Sequence, residues 1–396
     1  MSNNLKQLKN VPELRFPAFT LEWLQVKLGD ICEIKTGDKD TQNKCSDGLY
    51  PFFVRSGTPE KINSYSFDGE AILTSGDGVG VGKNFHYING RFDFHQRVYS
   101  LRNFKEDFLT KFVYYVFSEQ FLYRVRRMTA KNSVDSVRMD MITDMTILAP
   151  ELDEQKAIIS FLDIVNYWIE ILTKQKDELE KYKLGMMQKI FSQEVRFKNE
   201  AGKKFPAWQT LSIGEVFERI TTKNINNNRN VLTISAQQGL VNQETFFTKS
   251  VSAKDVTGYY LLKKGDFAYN KSYSKGYPIG AIKRLTKYDS GVVSTLYICF
   301  RPKSNVSGDY FEHFFNSGSA NHAISRIVQE GARNHGLLNM AVDDFFDAVK
   351  FEVPSIEEQK NIAKFLTSID ELIVAKAEQL QKAELWKKGL LQKMFV

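Results

Sequence analysis

Residues 150–191, PELDEQKAIISFLDIVNYWIEILTKQKDELEKYKLGMMQKIF, align without a gap, at a shift of 204, with residues 354–395, PSIEEQKNIAKFLTSIDELIVAKAEQLQKAELWKKGLLQKMF. Identities include Glu154-Gln155-Lys156 with Glu358-Gln359-Lys360, Phe161-Leu162 with Phe365-Leu366, Gly185 with Gly389, and Gln188-Lys189 with Gln392-Lys393. A chain that carries such a repeat folds as two related halves rather than around one undivided core. The upstream flanks repeat as well. WLQVKLGDICEI from Trp23 resembles WQTLSIGEVFER from Trp208, and each follows a Phe-Pro-Ala, at 16–18 and 205–207. Between the flanks the halves diverge, keeping traces such as Gly78 and Gly82 against Gly276 and Gly280, or Tyr99 against Tyr297. The order is variable, shared, variable, shared, with segments expected at 1–150, 151–193, 194–353 and 354–396.

The shared segments read as long helices. Ile158, Leu162, Val165, Ile169, Leu172, Leu179, Met186 and Ile190 keep one heptad frame, and Ile362, Leu366, Ile369, Ile373, Leu380, Leu390 and Met394 keep the same frame in the second copy. Ser355 and Glu358 after Pro354 form a capping-box start, which Glu151 does not reproduce in the first copy. At 1.5 Å per residue each helix runs about 55 Å. One apolar stripe needs a partner, so the expectation is an antiparallel coiled-coil pair that holds two variable domains apart. The alternative is two surface helices, each packed on its own domain.

The variable segments mix strand-like runs (50–54, 71–73 and 98–101; 231–234, 266–269 and 296–300) with the helix-like stretches 107–128 and 309–330. Each stretch leads to a basic, amide-bearing loop, TAKNSVDSV and GARNHGLLN. The expected class is α+β: two mixed α/β domains, two long helices and an internal pseudo-twofold repeat.

Residues 71–92, AILTSGDGVGVGKNFHYINGRF, invite a cofactor-loop reading. A dinucleotide or phosphate loop opens a helix, whereas Lys83 is followed by an aromatic run containing Asn89-Gly90, which reads as strand, turn, strand. The Walker spacing fails too, since Asp77 stands where the first glycine is required. The five histidines form no HExxH pair, there is no Gly-x-Ser-x-Gly elbow, and the Asn/Asp-Pro-Pro-Tyr/Phe motif of amino-methyltransferases is missing. Cys32, Cys45 and Cys299 are isolated, consistent with reduced core cysteines rather than a disulfide framework or zinc site. No catalytic, cofactor-binding or metal residue is expected in this chain. Apolar runs stop well short of a membrane span and the N-terminus lacks a signal-peptide core, so a cytoplasmic location is expected.

The net charge of +7 is unevenly placed: +2 over residues 1–150, −1 over 151–199, +6 over 200–350 and 0 over 351–396. The basic excess therefore sits in the variable segments, where polar and basic side chains interleave with aromatics. Lys83, Asn84, His86, Arg91, His95, Gln96 and Arg97 in the first, and Asn270, Lys271, Tyr273, Lys275, Tyr277, Lys283 and Arg284 in the second, suit phosphate or base-edge contacts, as do Lys131, Asn132, Arg333 and Asn334 in the basic loops. Strand alternation would place Gln96 on one face and His95 and Arg97 on the other.

The plan resembles the DNA-specificity subunit of type I restriction-modification enzymes. Its carriers are the two P-x-x-x-E-Q-K starts at 150–156 and 354–360, the two tails ending Gly-x-x-Gln-Lys-x-Phe, and the Phe-Pro-Ala entries. The resemblance spans the whole chain. It implies a non-catalytic subunit that reads an asymmetric, bipartite site on double-stranded DNA. Its helices would recruit two modification subunits that bring S-adenosylmethionine, and two restriction subunits needing ATP and magnesium can join. Two other readings fit parts of the chain: a stand-alone methyltransferase using Gly76 to Gly82, and a coiled-coil scaffold that binds protein. The basic variable segments speak against the scaffold, and the missing catalytic motif against the methyltransferase.

Overall fold

The structure, a computed structural model, describes residues 10–128, 136–235, 237–246, 255–272, 276–328 and 338–395. The chain divides into two units, Met1–Thr173 with Ala377–Val396, and Lys174–Lys376. Each unit therefore takes its own variable segment, part of the long helix that follows it and part of the other long helix.

Unit 1 opens with β1 (Leu24–Lys27) and the single-turn α1 (Leu28–Ile31). Strands β2 (Glu33–Thr36), β3 (Tyr50–Phe53), β4 (Glu60–Ile62), β5 (Phe67–Ser75), β6 (Phe85–Phe94) and β7 (Val98–Arg102) form one sheet in the order β2-β7-β5-β6-β3-β4. Helix α2 (Thr110–Met128) packs Phe112, Phe117, Phe121 and Val125 beneath it, all fully buried. The short α3 (Met139–Thr143) leads to β8 (Thr146–Ala149), which pairs with β1 and delivers the chain to α4 (Leu152–Phe191).

Unit 2 repeats this plan. Its β9 (Gln209–Ser212) pairs with β18 (Lys350–Val353), and α5 (Ile213–Val216) follows β9 as α1 follows β1. Strands β10 (Phe217–Arg219), β14 (Phe267–Asn270), β15 (Ala281–Arg284) and β17 (Ile298–Pro302) make a sheet in the order β10-β17-β14-β15. Two separate ribbons, β11 (Leu232–Ser235) with β12 (Gly239–Asn242) and β13 (Tyr260–Lys263) with β16 (Ser290–Val293), and α6 (Gln243–Phe246) are additions peculiar to this half. Helix α7 (Gly308–Asn316) stands where α2 stands in unit 1. The single helical stretch expected over 309–330 is broken after Asn316: Gly318 takes a φ of +78°, which only glycine adopts readily, and a second helix, α8 (Asn321–Ser325), restarts beyond it. Helix α9 (Val342–Asp347) precedes β18 and α10 (Ile356–Met394).

Within unit 1 the start of α4 (Ile158, Leu162, Val165) shares a core with the end of α10 (Leu390, Leu391, Met394). Within unit 2 the end of α4 (Met187, Ile190) shares a core with the start of α10 (Ile362, Leu366, Ile369). The two helices run antiparallel. Of the expected seam, Ile158, Leu162, Val165, Leu172, Ile190, Ile362, Leu366, Ile369, Leu390 and Met394 are buried, while Ile169, Leu179, Met186, Ile373 and Leu380 are half-buried. The frame drifts near the end of α4, where Met187 rather than Met186 is buried. A helix of 3.6 residues per turn slips about 20° per heptad, so four heptads carry the buried stripe almost one residue onward.

The repeated Glu-Gln-Lys has a structural explanation. Glu154 is 1% and Glu358 0% exposed. Arg15 donates to Glu154 through Nε (2.7 Å) and Nη2 (2.7 Å), and Arg196 donates to Glu358 through Nε (3.1 Å) and Nη2 (2.7 Å). Each arginine also donates to a backbone carbonyl, Leu21 at 2.6 Å and Pro206 at 2.6 Å. Gln155 Oε1 accepts from Leu109 N just ahead of α2, and Gln359 Oε1 accepts from Ser307 N just ahead of α7. The motif thus latches each long helix to its own unit. The arginines reveal a repeat that the Phe-Pro-Ala alignment hides: Glu13-Leu14-Arg15-Phe16 does the work of Glu194-Val195-Arg196-Phe197. Phe16 packs edge-on to Phe161 and Phe197 edge-on to Phe365, while Leu14 N and Val195 N donate to the carbonyls of Lys393 and Lys189.

Candidate nucleic-acid interface

In unit 1 the glycine-rich segment closes one end of β5. Three of its glycines, Gly76, Gly80 and Gly82, are spacers where the loop packs closely on neighbouring chain. A side chain at Gly76 would meet the Arg97 carbonyl at 2.8 Å, one at Gly80 the Arg55 carbonyl at 2.7 Å, and one at Gly82 the Leu122 side chain at 2.6 Å. Gly78 and Gly82 also take φ values of +73° and +65°. The loop leaves Val79 94% exposed and carries Asp77 between two arginines, Arg55 (Nη1 to Oδ1 3.2 Å) and Arg97 (Nε to Oδ2 3.8 Å). Asn84 Nδ2 and Ser75 Oγ both donate to the Arg55 carbonyl, at 2.7 and 3.0 Å. Gly76 N donates to the Arg97 carbonyl and Val137 N to the Gly76 carbonyl, each at 2.7 Å, so the chain leaving the first basic loop is tied to the same place.

Residues 95–97 do not alternate as a strand. They form the turn between β6 and β7, closed by Val98 N to the His95 carbonyl at 2.8 Å. His95 turns inward, 4% exposed, and its Nδ1 accepts from Arg97 N at 2.9 Å. Gln96, which donates to Asp40 at 3.1 Å, and Arg97 stay outside. Histidine 95 is thus the floor of the cluster, with its pKa lowered by burial.

The expected Asn89-Gly90 hairpin is likewise absent. Phe85–Phe94 is one strand, paired with β5 from Phe85 to Phe92, and Gly90 faces Gly69 with φ values of +139° and +147°. Two glycines opposite each other let the ladder pass through a conformation that elsewhere would make a turn. Arg91 therefore lies at the far end of β6 from the glycine loop, bonded to Asp68 at 2.9 Å. His86 is half-buried beside Phe53 at 5.0 Å, its pKa lowered by burial. Lys83 is exposed on the loop, and Asn84 is committed to Arg55.

Unit 2 builds the same end with other residues. The turn between β16 and β17 is closed by Tyr297 N to the Ser294 carbonyl at 3.1 Å and exposes Leu296 to 63%. Leu338 N, just past the second basic loop, donates to the Lys271 carbonyl at 2.9 Å, as Val137 does to Gly76. Lys271, Thr295, Leu296 and Tyr260 line one small cleft of about 50 Å³. Lys223 lies over the Tyr260 ring at 4.3 Å. It opens a loop that sequence reasoning passed over, KNINNNRN, which is built by its own amides. Asn224, fully buried, donates to the carbonyls of Asn228 (2.9 Å) and Val256 (3.2 Å) and accepts from Asn228 N (2.7 Å). Ile225 is left 82% exposed at the tip. The density of asparagine was the available signal.

Other candidates in unit 2 are engaged internally. Arg284 is held by Asp309 and Glu312 on α7, and Lys283 donates to Asn316 Oδ1 at 2.7 Å beneath the Tyr277 ring, its pKa lowered by burial. Asn270 accepts from Ser272 N at 3.1 Å. Arg284 and Lys283 thus pack the sheet on α7, and their charge is spent there. Lys131, Asn132, Tyr273, Lys275, Arg333 and Asn334 lie outside the described residues. Among the described residues no cluster of metal-ligating side chains is present, and no helix is long and apolar enough to cross a membrane.

A family model, Type I restriction modification DNA specificity domain, matches residues 20–181 and again 207–385. The chain belongs to that family. The double match falls on the two pseudo-repeats described above. A specificity subunit of the type I restriction enzyme EcoDI of Escherichia coli is 29% identical over 38% of this chain, although the match spans only 32% of that protein. The type I restriction enzyme MjaVIII specificity subunit of Methanocaldococcus jannaschii is 24% identical over 98% of this chain and 94% of its own length. The fold is similar to a crystal structure of a type I restriction-modification S subunit from M. genitalium, with a TM-score of 0.58 at 14% identity, covering 98% of this chain and 99% of the other. A second solved structure, from work on complex assembly of the type I R-M system, gives 0.56 at 14% identity over 94% and 97%.

Proposed function

We propose that this specificity subunit reads an asymmetric, bipartite site on double-stranded DNA, one half with each unit, and performs no catalysis itself. The observation that carries the reading is the repeated construction of one end of each unit. A strand-joining turn and the flank of a basic loop meet there twice, with Gln96 and Arg97 at one tip and Thr295 and Leu296 at the other. Two unlike tips on one chain suit two unrelated half-sites, whereas a homodimer is confined to palindromes.

The helices supply the second half of the proposal. Trp168 and Trp386, 46% and 48% exposed, meet at 6.3 Å on the unit 1 helix pair, and Tyr182, Leu372 and Val374 are exposed on the unit 2 pair. We assign these faces to two modification subunits, which carry S-adenosylmethionine, with restriction subunits needing ATP and magnesium joining that assembly. The segments 1–150 and 194–353 act as target-recognition domains and 151–193 and 354–396 as the helical repeats. Replacing residues 210–350 with the matching segment of a relative, co-expressing the modification subunit and sequencing methylated bases tests this. One half of the methylated motif changes and the other stays. A change in both halves, or in neither, refutes autonomous reading.

A further inference from the structure

We propose that Asp77 is a positioning residue which, paired on its other side with Arg55, holds the Arg97 fork for a guanine in the major groove of the unit 1 half-site. The inference rests on the DNA-recognition reading above and deepens it.

An acidic side chain on a DNA-facing loop is costly, because it repels phosphate. Asp77 is nevertheless placed at the centre of the cluster, 23% exposed, with Arg55 at 51% and Arg97 at 66% on either side. Both arginine backbones are pinned, Arg55 through Asn84 and Ser75, Arg97 through Gly76 and His95. Only the long side chains remain to be ordered, and one carboxylate between two guanidinium groups orders both. Arg97 meets Asp77 through Nε alone, at 3.8 Å, which leaves its two terminal nitrogens for the O6 and N7 acceptors of guanine. Such exposed ion pairs add little to folding, so the carboxylate's contribution lies in preorganisation rather than stability.

The test uses the subunit in complex with its modification subunits. Asp77→Asn keeps shape and removes the negative charge. Affinity for an unrelated duplex is expected to rise several-fold at low salt as repulsion is lost. The ratio of specific to unrelated binding is expected to fall about tenfold, at one base pair of one half-site. Arg97→Lys, which keeps charge but loses the planar fork, is expected to relax that same base pair. A ratio that is unchanged, specific and unrelated affinities falling together, or relaxation at different base pairs in the two variants overturns the proposal. If the wild-type complex shows no salt-dependent duplex binding, the DNA reading itself fails before any variant is compared.

Discussion

Unit 1 and unit 2 offer the same helix stations to the same neighbours and fill them with different chemistry. At the shift of 204, Asp163 and Asn166 of α4 correspond to Thr367 and Asp370 of α10. In unit 1 the pair surrounds Tyr115, whose hydroxyl donates to Asp163 and accepts from Asn166, each at 2.8 Å, and Lys111 binds Asp163 at 2.7 Å. In unit 2 the pair surrounds His313, whose Nε2 lies 3.1 Å from the Thr367 hydroxyl and whose Nδ1 lies 3.9 Å from Asp370, while Lys183 binds Asp370 at 2.6 Å. The backbone plan tolerates this exchange because each station needs only a polar group that finds a hydrogen-bond partner on the helix, as the Tyr115 hydroxyl and His313 Nε2 do, and not a particular one. Where the halves agree to the residue, at Glu154 and Glu358, the group is a buried charge, and only a carboxylate satisfies the arginine fork on one side. Identity at these two glutamates thus marks buried ionic latches. Divergence marks positions where several polar solutions work.

The largest effect is expected from breaking a latch. Glu154→Ala leaves Arg15, 12% exposed, without its carboxylate, and Glu358→Ala does the same to Arg196. Each is expected to cost about 3–5 kcal/mol, because a half-buried guanidinium is stranded. The two latches differ in their tryptophan bond. Trp208 Nε1 donates to Glu358 at 3.1 Å, whereas the buried Trp23 Nε1 has no partner among the described residues. Trp208→Phe is therefore expected to cost more than Trp23→Phe by roughly 1.5–3 kcal/mol, the worth of a hydrogen bond to a charged group. Urea midpoints of the four variants, read by circular dichroism, decide it. Equal costs for the two tryptophan variants would show that the latches are equivalent after all.

The next effect is a pH dependence at the His313 station, which its unit 1 counterpart Tyr115 lacks. Burial, then the charge of Lys183, lower the His313 pKa from its ordinary value near 6.5 to about 4, against the opposing pull of Asp370 and Asp309; Arg284 adds a small lowering. The sign follows from linkage. Between pH 6.5 and 4 the unfolded chain takes up a proton that the folded chain refuses, so stability present above 6.5 is lost as pH falls, by up to about 3 kcal/mol. Tyr115 in unit 1 is pushed above its ordinary value by burial and stays neutral throughout. His313→Gln cannot titrate. Its stability deficit against wild type at pH 7 is expected to shrink steadily toward pH 4.5, and a deficit that is constant with pH removes His313 from the account.

These comparisons also separate what the sequence made legible from what it did not. The α+β class and the long helices followed from periodicity and repeat, which act over many residues and average out local exceptions. Single-residue readings failed where tertiary packing decides. Asn89-Gly90 has the composition of a hairpin turn, but Gly69 across the ladder absorbs its unusual backbone. His95 sits in a polar run, yet its ring is worth more as an acceptor inside the turn than outside it. Arg284 and Lys283 look available until α7 brings Asp309, Glu312 and Asn316 to them. Arg55 was invisible for the opposite reason: it lies some twenty positions from the glycine loop, and only folding places it beside Asp77.

The smallest expected effect concerns the two turn tips, where the proposed reading faces differ most in kind. Arg97 carries a charge, and Leu296, 63% exposed in a turn of the same construction, carries none. An exposed leucine at a groove has one favourable contact to make, the methyl group of thymine. Leu296→Ala is therefore expected to weaken binding by about 1 kcal/mol at one thymine of the unit 2 half-site, near the low end for a base contact. Its salt dependence should match wild type, since no counterion is released by a methyl contact. Arg97→Ala should instead lower the slope of log affinity against log salt by about one if the side chain also reaches phosphate. Measuring both slopes on the same duplex, with and without that thymine replaced by uracil, isolates the methyl group. A Leu296→Ala variant that loses affinity equally on both duplexes is not reading the methyl, and the contrast between a charged tip and an apolar tip would then describe packing rather than recognition.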